Sequence, residues 1–323
     1  MMSGHEVVEK IKLMTGSTEA AEYALSLIRK EVLKSKSIEE ACFLLIDISR
    51  KFIELRGTSA LIINTLRELL IKALESLSKG LDHLKKELSE LIDSKLKYAK
   101  WATQKLGEIG ARRLREREVI LVHSYSYSVY KIIEEALKLG KRIEVYVTES
   151  RPGLEGLVMA NALEKLGIPV TLIVDSAVRF VMPRITRVLV GAEAIAANGA
   201  VVGKVGTSVI ALAAKEARVR MFVAAGTYKF SLETVFGELI PIPQAPKEYV
   251  VEDKELAGKI KTYAPLMDVT PADYIDAIIT ERGVIAPQAV PLILREIYGS
   301  WPPKLKDLNK LILELEEKCR RMK

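Results

Sequence analysis

Groups that could bind or transform a small molecule follow several short apolar runs in the second half of the sequence. The peptides at these positions are His123-Ser124-Tyr125-Ser126, residues 148–151, Asp175-Ser176, Gly191-Ala192-Glu193 and residues 226–229. If each run is a strand of one parallel sheet, these peptides meet beyond its carboxyl edge, where such sheets bind ligands. The sequence therefore predicts a polar small-molecule site at that edge. Ser150 and Ser176 also suit helix caps, whereas ligand contact and structural ties both stay open for Glu193 and Lys229.

A glycine-rich stretch at residues 199–207 contains Lys204 and leads into a predicted helix start at Thr207. Backbone amides at such a start can hold an anion, and Lys204 adds positive charge. The glycine spacing differs from that of a phosphate-binding loop, and the stretch does not follow the first predicted strand. The pattern thus supports neither a nucleoside triphosphatase nor a dinucleotide-binding fold.

Histidine and cysteine are too sparse for two common kinds of catalytic site. His123 is the only histidine after residue 115. Side chains alternate along a strand, so His123 and Ser124 point to opposite faces and a serine–histidine–acid triad is disfavoured. Cys42 and Cys319 are the only cysteines, and no histidine or cysteine cluster suggests a transition metal. We expect neither a metal nor another cofactor.

The elements that position these groups follow from two hydrophobic periods. Residues 5–113 lack proline and carry apolar residues at helical spacing, which predicts an all-α helical domain of four to five helices over residues 1–115. From Glu118 onward, short apolar runs alternate with helical segments. This pattern predicts an α/β domain over residues 116–302, Rossmann-like, with a doubly wound, mostly parallel sheet.

The spacing of apolar residues over 303–323 predicts a C-terminal amphipathic helix. Its apolar residues are spaced by three and four positions: Leu305, Leu308, Ile312, Leu315, Cys319 and Met322. Such a seam suits a coiled coil or a docked helix, but it covers under three heptads. We expect it to pack on its own chain or on a dimer mate rather than on a foreign helix, because so short a helix is unstable alone.

Composition and charge exclude several classes of protein. The 323 residues are 49% hydrophobic and 28% charged, which is typical of a globular protein and not of a disordered chain or a disulfide scaffold. Residues 1–115 hold 21 basic and 16 acidic side chains, and residues 303–323 hold 7 and 4, so the net +7 lies outside the predicted sheet domain. Aromatic residues do not interleave with the basic ones, so we expect no direct DNA binding. No apolar run could span a membrane, and we expect a cytoplasmic protein.

The strand-end peptides also occur in the order found in one superfamily. They are His123-Ser124-Tyr125-Ser126, residues 146–152, Asp175-Ser176-Ala177, Gly191-Ala192-Glu193, residues 204–207, Tyr228-Lys229-Phe230, residues 268–271 and residues 279–285. Over most of residues 117–299 the sequence resembles the translation initiation factor 2B alpha/beta/delta family. That superfamily also holds the ribose-1,5-bisphosphate isomerases and the methylthioribose-1-phosphate isomerases. The resemblance implies a homodimer in which the sheet domains form the interface.

The resemblance further implies where a ligand binds. The isomerases pair a cysteine after the first strand with an aspartate in a Gly-Ala-Asp motif, and the counterparts here are Ser124 and Glu193. Their Arg-Gly-Ala phosphate motif corresponds to Thr15-Gly16-Ser17. The expected ligand-binding residues are Arg56, Ser124, Ser126, Glu193, Lys204 and Lys229.

Two functions fit this resemblance. Serine has a far higher pKa than a thiol, and glutamate displaces the carboxylate by one methylene, so the departures favour a non-catalytic branch. We expect a regulatory subunit that binds the alpha subunit of initiation factor 2 and retains a pocket for a phosphorylated sugar or nucleotide. The basic helical domain would then serve as the docking face. The alternative is an aldose–ketose isomerase acting on ribose 1,5-bisphosphate or a relative. That enzyme would use Glu193 as general acid/base and Ser124 as a hydrogen-bonding partner.

Overall fold

A computed structural model gives the fold and describes residues 16–237 and 240–321. These residues form two compact units, one built from residues 16–101 and 298–321 and the other from residues 102–297. None of the helices in the described part of the chain is long and apolar enough to cross a membrane.

Four α-helices precede the first strand in the described residues. They are α1 (Ser17–Lys34), α2 (Ile38–Arg56), α3 (Ala60–Ser76) and α4 (Leu81–Arg113). The side chain of Ser37 caps α2 by accepting a hydrogen bond from the Glu40 N–H at 3.2 Å. Each of the first three helices buries an apolar stripe, which confirms the all-α N-terminal region. In the predicted break at Thr15-Gly16-Ser17, Gly16 is the N-cap of α1, and Thr15 lies outside the described residues.

The C-terminal helix, α11 (Leu308–Arg320), belongs to the helical unit and packs on α2 and α3 of the same chain. Asp307 caps its first turn by accepting from the Lys310 N–H at 2.7 Å. The thiols of Cys319 and Cys42, a residue of α2, hydrogen-bond each other, and this bond together with burial raises the pKa of Cys42. The predicted seam is buried at Leu308, Ile312, Leu315 and Cys319, whereas Met322 lies outside the described residues.

The second unit is an α/β fold with a seven-stranded sheet. Its strands and longer helices, in chain order, are β1 (Arg117–Val122), α5 (Tyr127–Lys138), β2 (Arg142–Thr148), α6 (Glu155–Glu164), β3 (Val170–Ile173), α7 (Val178–Val181), β4 (Arg187–Gly191), β5 (Ala194–Ile195), β6 (Val201–Lys204), α8 (Thr207–Glu216), β7 (Arg220–Ala224), α9 (Lys254–Lys259), β8 (Met267–Thr270), β9 (Ala277–Thr280), β10 (Gly283–Ile285) and α10 (Val290–Tyr298). The main sheet has the order β10-β9-β7-β4-β1-β2-β3, and only β10 runs antiparallel to its neighbour. This confirms the predicted α/β fold and its mostly parallel sheet.

A second, smaller sheet of order β5-β6-β8 was not predicted from the sequence. Its strands have two to four residues each, and β6 lies inside the glycine-rich stretch. Strands this short carry too little apolar alternation to be recognised by periodicity. The small sheet places the C-terminal residue of β6, Lys204, beside the segment that follows β4, since Ala194 pairs with Val202.

The core of the second unit lies between the main sheet and its helices. Ile120 and Val122 of β1, Val145 and Val147 of β2, and Ile132 of α5 are fully buried in it. The end of α4 also belongs to this core: a side chain at Gly110 would come within 2.5 Å of Ile132. The change from helices to strands therefore falls near residue 115, where the sequence places a boundary, whereas the compact units divide earlier, after residue 101.

Candidate functional site

The candidate site is built where β1 and β4 end. These two strands are parallel neighbours, and Leu121 of β1 is level with Val188 of β4. Continuing this register brings Ser124 level with Gly191, so Ser124 and Glu193 emerge at the same edge of the sheet. Ser124 has a positive φ of 62°, an unusual value for a residue with a side chain. Such strain is typical of positions that the surrounding structure fixes firmly.

A buried hydrogen-bond network fixes the Ser124 loop. The Ser124 N–H donates to Ser150 Oγ at 2.7 Å, and Ser150 Oγ lies 3.0 Å from Thr148 Oγ1. His123 Nδ1 is 2.6 Å from Thr148 Oγ1, and His123 Nε2 is 2.9 Å from the carbonyl oxygen of Val205. Because a carbonyl can only accept, Nε2 carries the proton and Nδ1 accepts from the Thr148 hydroxyl. His123 and Ser150 therefore hold the loop.

Burial lowers the pKa of His123, while the Val205 carbonyl and the charge of Asp175 act in the opposite direction. The imidazole therefore stays neutral near pH 7. Gly206 makes room for it: φ is +104° there, and a Cβ would lie 3.1 Å from the ring. The glycine is thus required twice, by its backbone conformation and by the close approach of His123.

Ser126 lies directly over Gly191. Its side chain is the N-cap of α5, accepting a long hydrogen bond of 3.4 Å from the Val129 N–H. A Cβ at Gly191 would come within 2.3 Å of Ser126 Oγ, so only glycine permits this approach. The hydroxyl group of Ser126 is therefore part of the same edge as Ser124 and Glu193.

Glu193 and Lys229 form the charged centre of the site. Glu193 is 8% exposed and Lys229 is 5% exposed. Lys229 Nζ donates to the carbonyl oxygen of Ala192 at 2.8 Å, which anchors the ammonium group next to Glu193. Burial lowers the pKa of Lys229, and the charge of Glu193 partly offsets this. Within the part of the chain that the structure describes, Glu193 Oε1 has no hydrogen-bond partner.

A buried ion pair lies at the end of β6. Lys204 Nζ donates to Glu155 Oε1 at 2.6 Å, and both side chains are largely buried. Glu155 is the first residue of α6 and was not recognised from the sequence. An acidic residue in the first turn of a helix is usual, so the pattern alone does not distinguish it from a residue that complements the helix dipole.

Two aspartates tie the surrounding loops through their carboxylates. Asp175 accepts from the Ser150 N–H at 2.8 Å, and Asp268 Oδ2 accepts from the N–H groups of Gly206 and Ser208 at 2.8 and 3.0 Å. Each bond satisfies a backbone donor that has no partner within a strand or helix, in the Ser150 loop and at the start of α8. These carboxylates therefore stabilise the loops that carry the site.

Of the six predicted ligand-binding residues, five belong to the α/β unit: Ser124, Ser126, Glu193, Lys204 and Lys229. Arg56 is the last residue of α2 and belongs to the helical unit. No group of three or more histidine, cysteine, aspartate or glutamate side chains within residues 16–237 and 240–321 could hold a metal ion.

This geometry suits proton transfer on a polar, anionic substrate. A carboxylate with one free oxygen can act as a general base, and a nearby ammonium group can stabilise negative charge that develops on the substrate. The small hydroxyl groups of Ser124 and Ser126 can donate hydrogen bonds to sugar oxygens. Together these groups are of the kinds that acid–base catalysis on a polar small molecule uses.

Comparison with known proteins identifies the family. Residues 14–287 match the model of the initiation factor 2 subunit family, so the chain belongs to that family. A ribose 1,5-bisphosphate isomerase from Archaeoglobus fulgidus is 38% identical over 91% of this chain and 93% of its own length. One from Methanocaldococcus jannaschii is 40% identical over 93% of this chain and 96% of its own length.

Solved structures extend the same relationship. A Pyrococcus horikoshii protein described as translation initiation factor eIF-2B superimposes with a TM-score of 0.77 at 26% identity, covering 88% of this chain and 96% of its own. A 5-methylthioribose 1-phosphate isomerase from the same organism gives a TM-score of 0.69 at 27% identity, covering 90% and 87%. The fold is thus shared by proteins described as factors and by proteins described as isomerases.

The expectation of a non-catalytic regulatory subunit is wrong. Relatives that are 37–40% identical over most of the chain are ribose 1,5-bisphosphate isomerases. The expectation gave too much weight to the residue types at Ser124 and Glu193. A glutamate remains a carboxylate base, and here it lies buried with a free oxygen beside an ammonium group. Homodimer formation and binding of the alpha subunit of initiation factor 2 stay predictions.

Proposed function

We propose that this protein is a sugar-phosphate aldose–ketose isomerase that converts ribose 1,5-bisphosphate to ribulose 1,5-bisphosphate. The observation that carries the proposal is the buried carboxylate of Glu193, whose Oε1 has no partner among the described residues. Leaving a buried acceptor unsatisfied costs about 1–3 kcal/mol, so a substrate that supplies a hydrogen to it recovers that free energy.

The proposed reaction relocates two protons within the sugar, one from C2 to C1 and one from O2 to O4. A proton reaches the ring oxygen O4 as the C1–O4 bond breaks, and Glu193 removes the proton on C2, which gives a C1–C2 enol that keeps the phosphate on O1. Glu193 then returns its proton to C1, and the hydroxyl proton on O2 leaves as the C2 ketone forms. The ring-opening acid regains that second proton. No oxidant or reductant is consumed.

Two residues near Glu193 support this chemistry. The ammonium group of Lys229, near the carboxylate, can give its proton to O4 as the ring opens, and the resulting amine can take the proton that leaves O2. The lowered pKa of Lys229 also suits it to donate and regain the O4 and O2 protons. Ser124, held at a fixed φ by Ser150, donates a hydrogen bond to the sugar and orients it.

The test is an assay of purified protein with ribose 1,5-bisphosphate, with ribulose 1,5-bisphosphate measured as product. We expect turnover by the wild type and a loss of at least about 100-fold in Glu193→Gln, since general-base catalysis contributes about that much. Glu164→Gln, at the far and exposed end of α6, is the matched control and should retain full activity. Methylthioribose 1-phosphate serves as a second substrate. A wild type that does not turn over ribose 1,5-bisphosphate would reject the proposal, and turnover of methylthioribose 1-phosphate alone would assign the reaction to that sugar instead.

A further inference from the structure

We propose that Glu155 is a specificity-determining residue, which neutralises Lys204 so that this part of the site binds sugar hydroxyl groups and rejects a phosphate group. The inference deepens the proposed isomerase function and rests on it for the identity of the substrate. It assigns a role to a residue that the sequence pattern does not single out.

The position of Glu155 is firmly fixed by its surroundings. It begins α6 directly after Leu154, which has a φ of 58° and contributes no side-chain cap. A Cβ at Gly156 would lie 1.7 Å from the carbonyl oxygen of Thr148, so the start of α6 is pressed against the end of β2. A Cβ at Gly153 would likewise lie 2.5 Å from Glu155 Oε1, so the backbone of Gly153 passes close to this carboxylate. The carboxylate is therefore a built part of the strand-end edge.

The ion pair removes one positive charge from the site. Glu155 Oε1 accepts from Lys204 Nζ at 2.6 Å, with side-chain exposures of 16% and 7%. Lys229 and Glu193 form the other pair of opposite charges. Taken together, these four side chains are electrically neutral. A phosphate dianion placed beside Lys204 would meet the Glu155 carboxylate at close range, and like charges in a poorly solvated site repel strongly.

The free carboxylate oxygens define what the site accepts instead. Glu155 Oε2 and Glu193 Oε1 are buried, and neither has a hydrogen-bond partner in the described ranges. An ionised carboxylate can only accept, so each oxygen needs a donor from the ligand. A sugar hydroxyl group donates such a bond, whereas the dianionic phosphate group of a sugar phosphate carries no hydrogen and does not. Two acceptors of this kind match the polyol part of a sugar phosphate.

Binding measurements test this without turnover. Isothermal titration of inorganic phosphate and of ribitol 5-phosphate gives the ratio of their two Kd values, which reports how strongly hydroxyl groups contribute. We expect ribitol 5-phosphate to bind the wild type at least about tenfold more tightly than phosphate, a difference of about 1.4 kcal/mol. In Glu155→Gln, which keeps an oxygen for Lys204 but loses the charge, phosphate should bind about tenfold more tightly and the ratio should fall.

A double variant keeps the test valid if Glu155→Gln unfolds. Replacing both members of the pair, Glu155→Gln with Lys204→Gln, leaves no buried unpaired charge. Because Lys204 is already neutralised in the wild type, we expect the phosphate affinity of the double variant to stay within about twofold of the wild type. A tenfold weakening would identify Lys204 as a phosphate ligand and overturn the inference. An unchanged ratio in folded Glu155→Gln would also overturn it, and Glu164→Gln should behave as the wild type.

The experiments can reject either proposal while leaving the other intact. A wild type that shows no isomerase activity while Glu155→Gln still tightens phosphate binding would reject the proposed reaction and keep the hydroxyl-binding role. An active wild type whose phosphate affinity is insensitive to Glu155→Gln would do the reverse.

Discussion

Replacing Lys229 by methionine should expose the energetic coupling between the two charges at the centre of the site. Methionine is similar in length, so the main changes are the loss of the ammonium group and of the hydrogen bond to Ala192. Glu193, only 8% exposed, is then a buried carboxylate without its cation. Losing the cation destabilises the Glu193 carboxylate, but the variant also escapes the cost of burying an ammonium group, so Lys229→Met should lose less free energy of unfolding than the about 3–5 kcal/mol of a broken buried ion pair.

A double-mutant cycle isolates the interaction itself. Urea unfolding at pH 7 of the wild type, Lys229→Met, Glu193→Gln and the double variant yields the coupling energy. Both side chains are over nine-tenths buried, so solvent screening is slight and the coupling should be about 1–3 kcal/mol. The double variant should therefore be more stable than the sum of the single effects predicts. Additivity within about 0.5 kcal/mol would refute the claim that the two groups interact.

The pH dependence of stability provides a second readout for the same variant. Burial lowers the pKa of Lys229 in the folded state, whereas the unfolded chain keeps the ordinary value of about 10.4. Between these two pKa values the unfolded state binds more protons than the folded state. The free energy of unfolding of the wild type therefore rises with pH in this range, by at most about 1.4 kcal/mol per pH unit. Below the folded pKa the cost of the buried ammonium is fully present. Lys229→Met should lack this rise, and equal slopes in both proteins would contradict the assignment.

Three further variants test other parts of the structure. Glu118→Gln removes the carboxylate that pairs with the buried Arg187 at 2.9 Å. The free energy of unfolding in urea should fall by about 3–5 kcal/mol. Burial opposes ionisation of Glu118, but hydrogen bonds from its neighbours lower its pKa overall, so this loss should be fully present above about pH 4.3 and shrink at lower pH. Gly191→Ala places a methyl group 2.3 Å from Ser126 Oγ and should lower kcat/KM at least about tenfold in the isomerase assay, with a small change in Tm. Leu315→Ala should lower the free energy of unfolding by about 2–5 kcal/mol, because that side chain is fully buried, whereas exposed Leu313→Ala should be near neutral.

The polar residues at the carboxyl edge of the sheet could be predicted because short stretches of sequence identify them. Each apolar run ends in a polar peptide, and parallel strands bring those ends together whatever their order. The position of Ser124, Glu193 and Lys229 near this edge was predicted in this way, and their role as ligand-binding residues stays a prediction. The cap made by Asp307 and the buried face of α11 follow equally from residue type and helical spacing.

The role of Glu155 could not be predicted, because it depends on contacts between distant segments. Lys204 lies 49 residues further along the chain, and the strand that carries it belongs to a small sheet without a clear sequence pattern. The wrong functional expectation has a related origin. That expectation rested on the residue types at Ser124 and Glu193. The chemistry of a carboxylate also depends on its burial, on its free oxygen and on a nearby cation, none of which the sequence gives.

The most direct test of the proposed reaction is NMR of purified protein with ribose 1,5-bisphosphate in D₂O. The proposal predicts that ribulose 1,5-bisphosphate accumulates and that solvent deuterium appears at C1 to the extent that the proton on Glu193 exchanges before it is returned. Glu193→Gln should form ketose at least about 100-fold more slowly, while Glu164→Gln should match the wild type. Ribose 1,5-bisphosphate that stays unchanged with the wild type, or ketose formation that is equal in Glu193→Gln, would contradict the account.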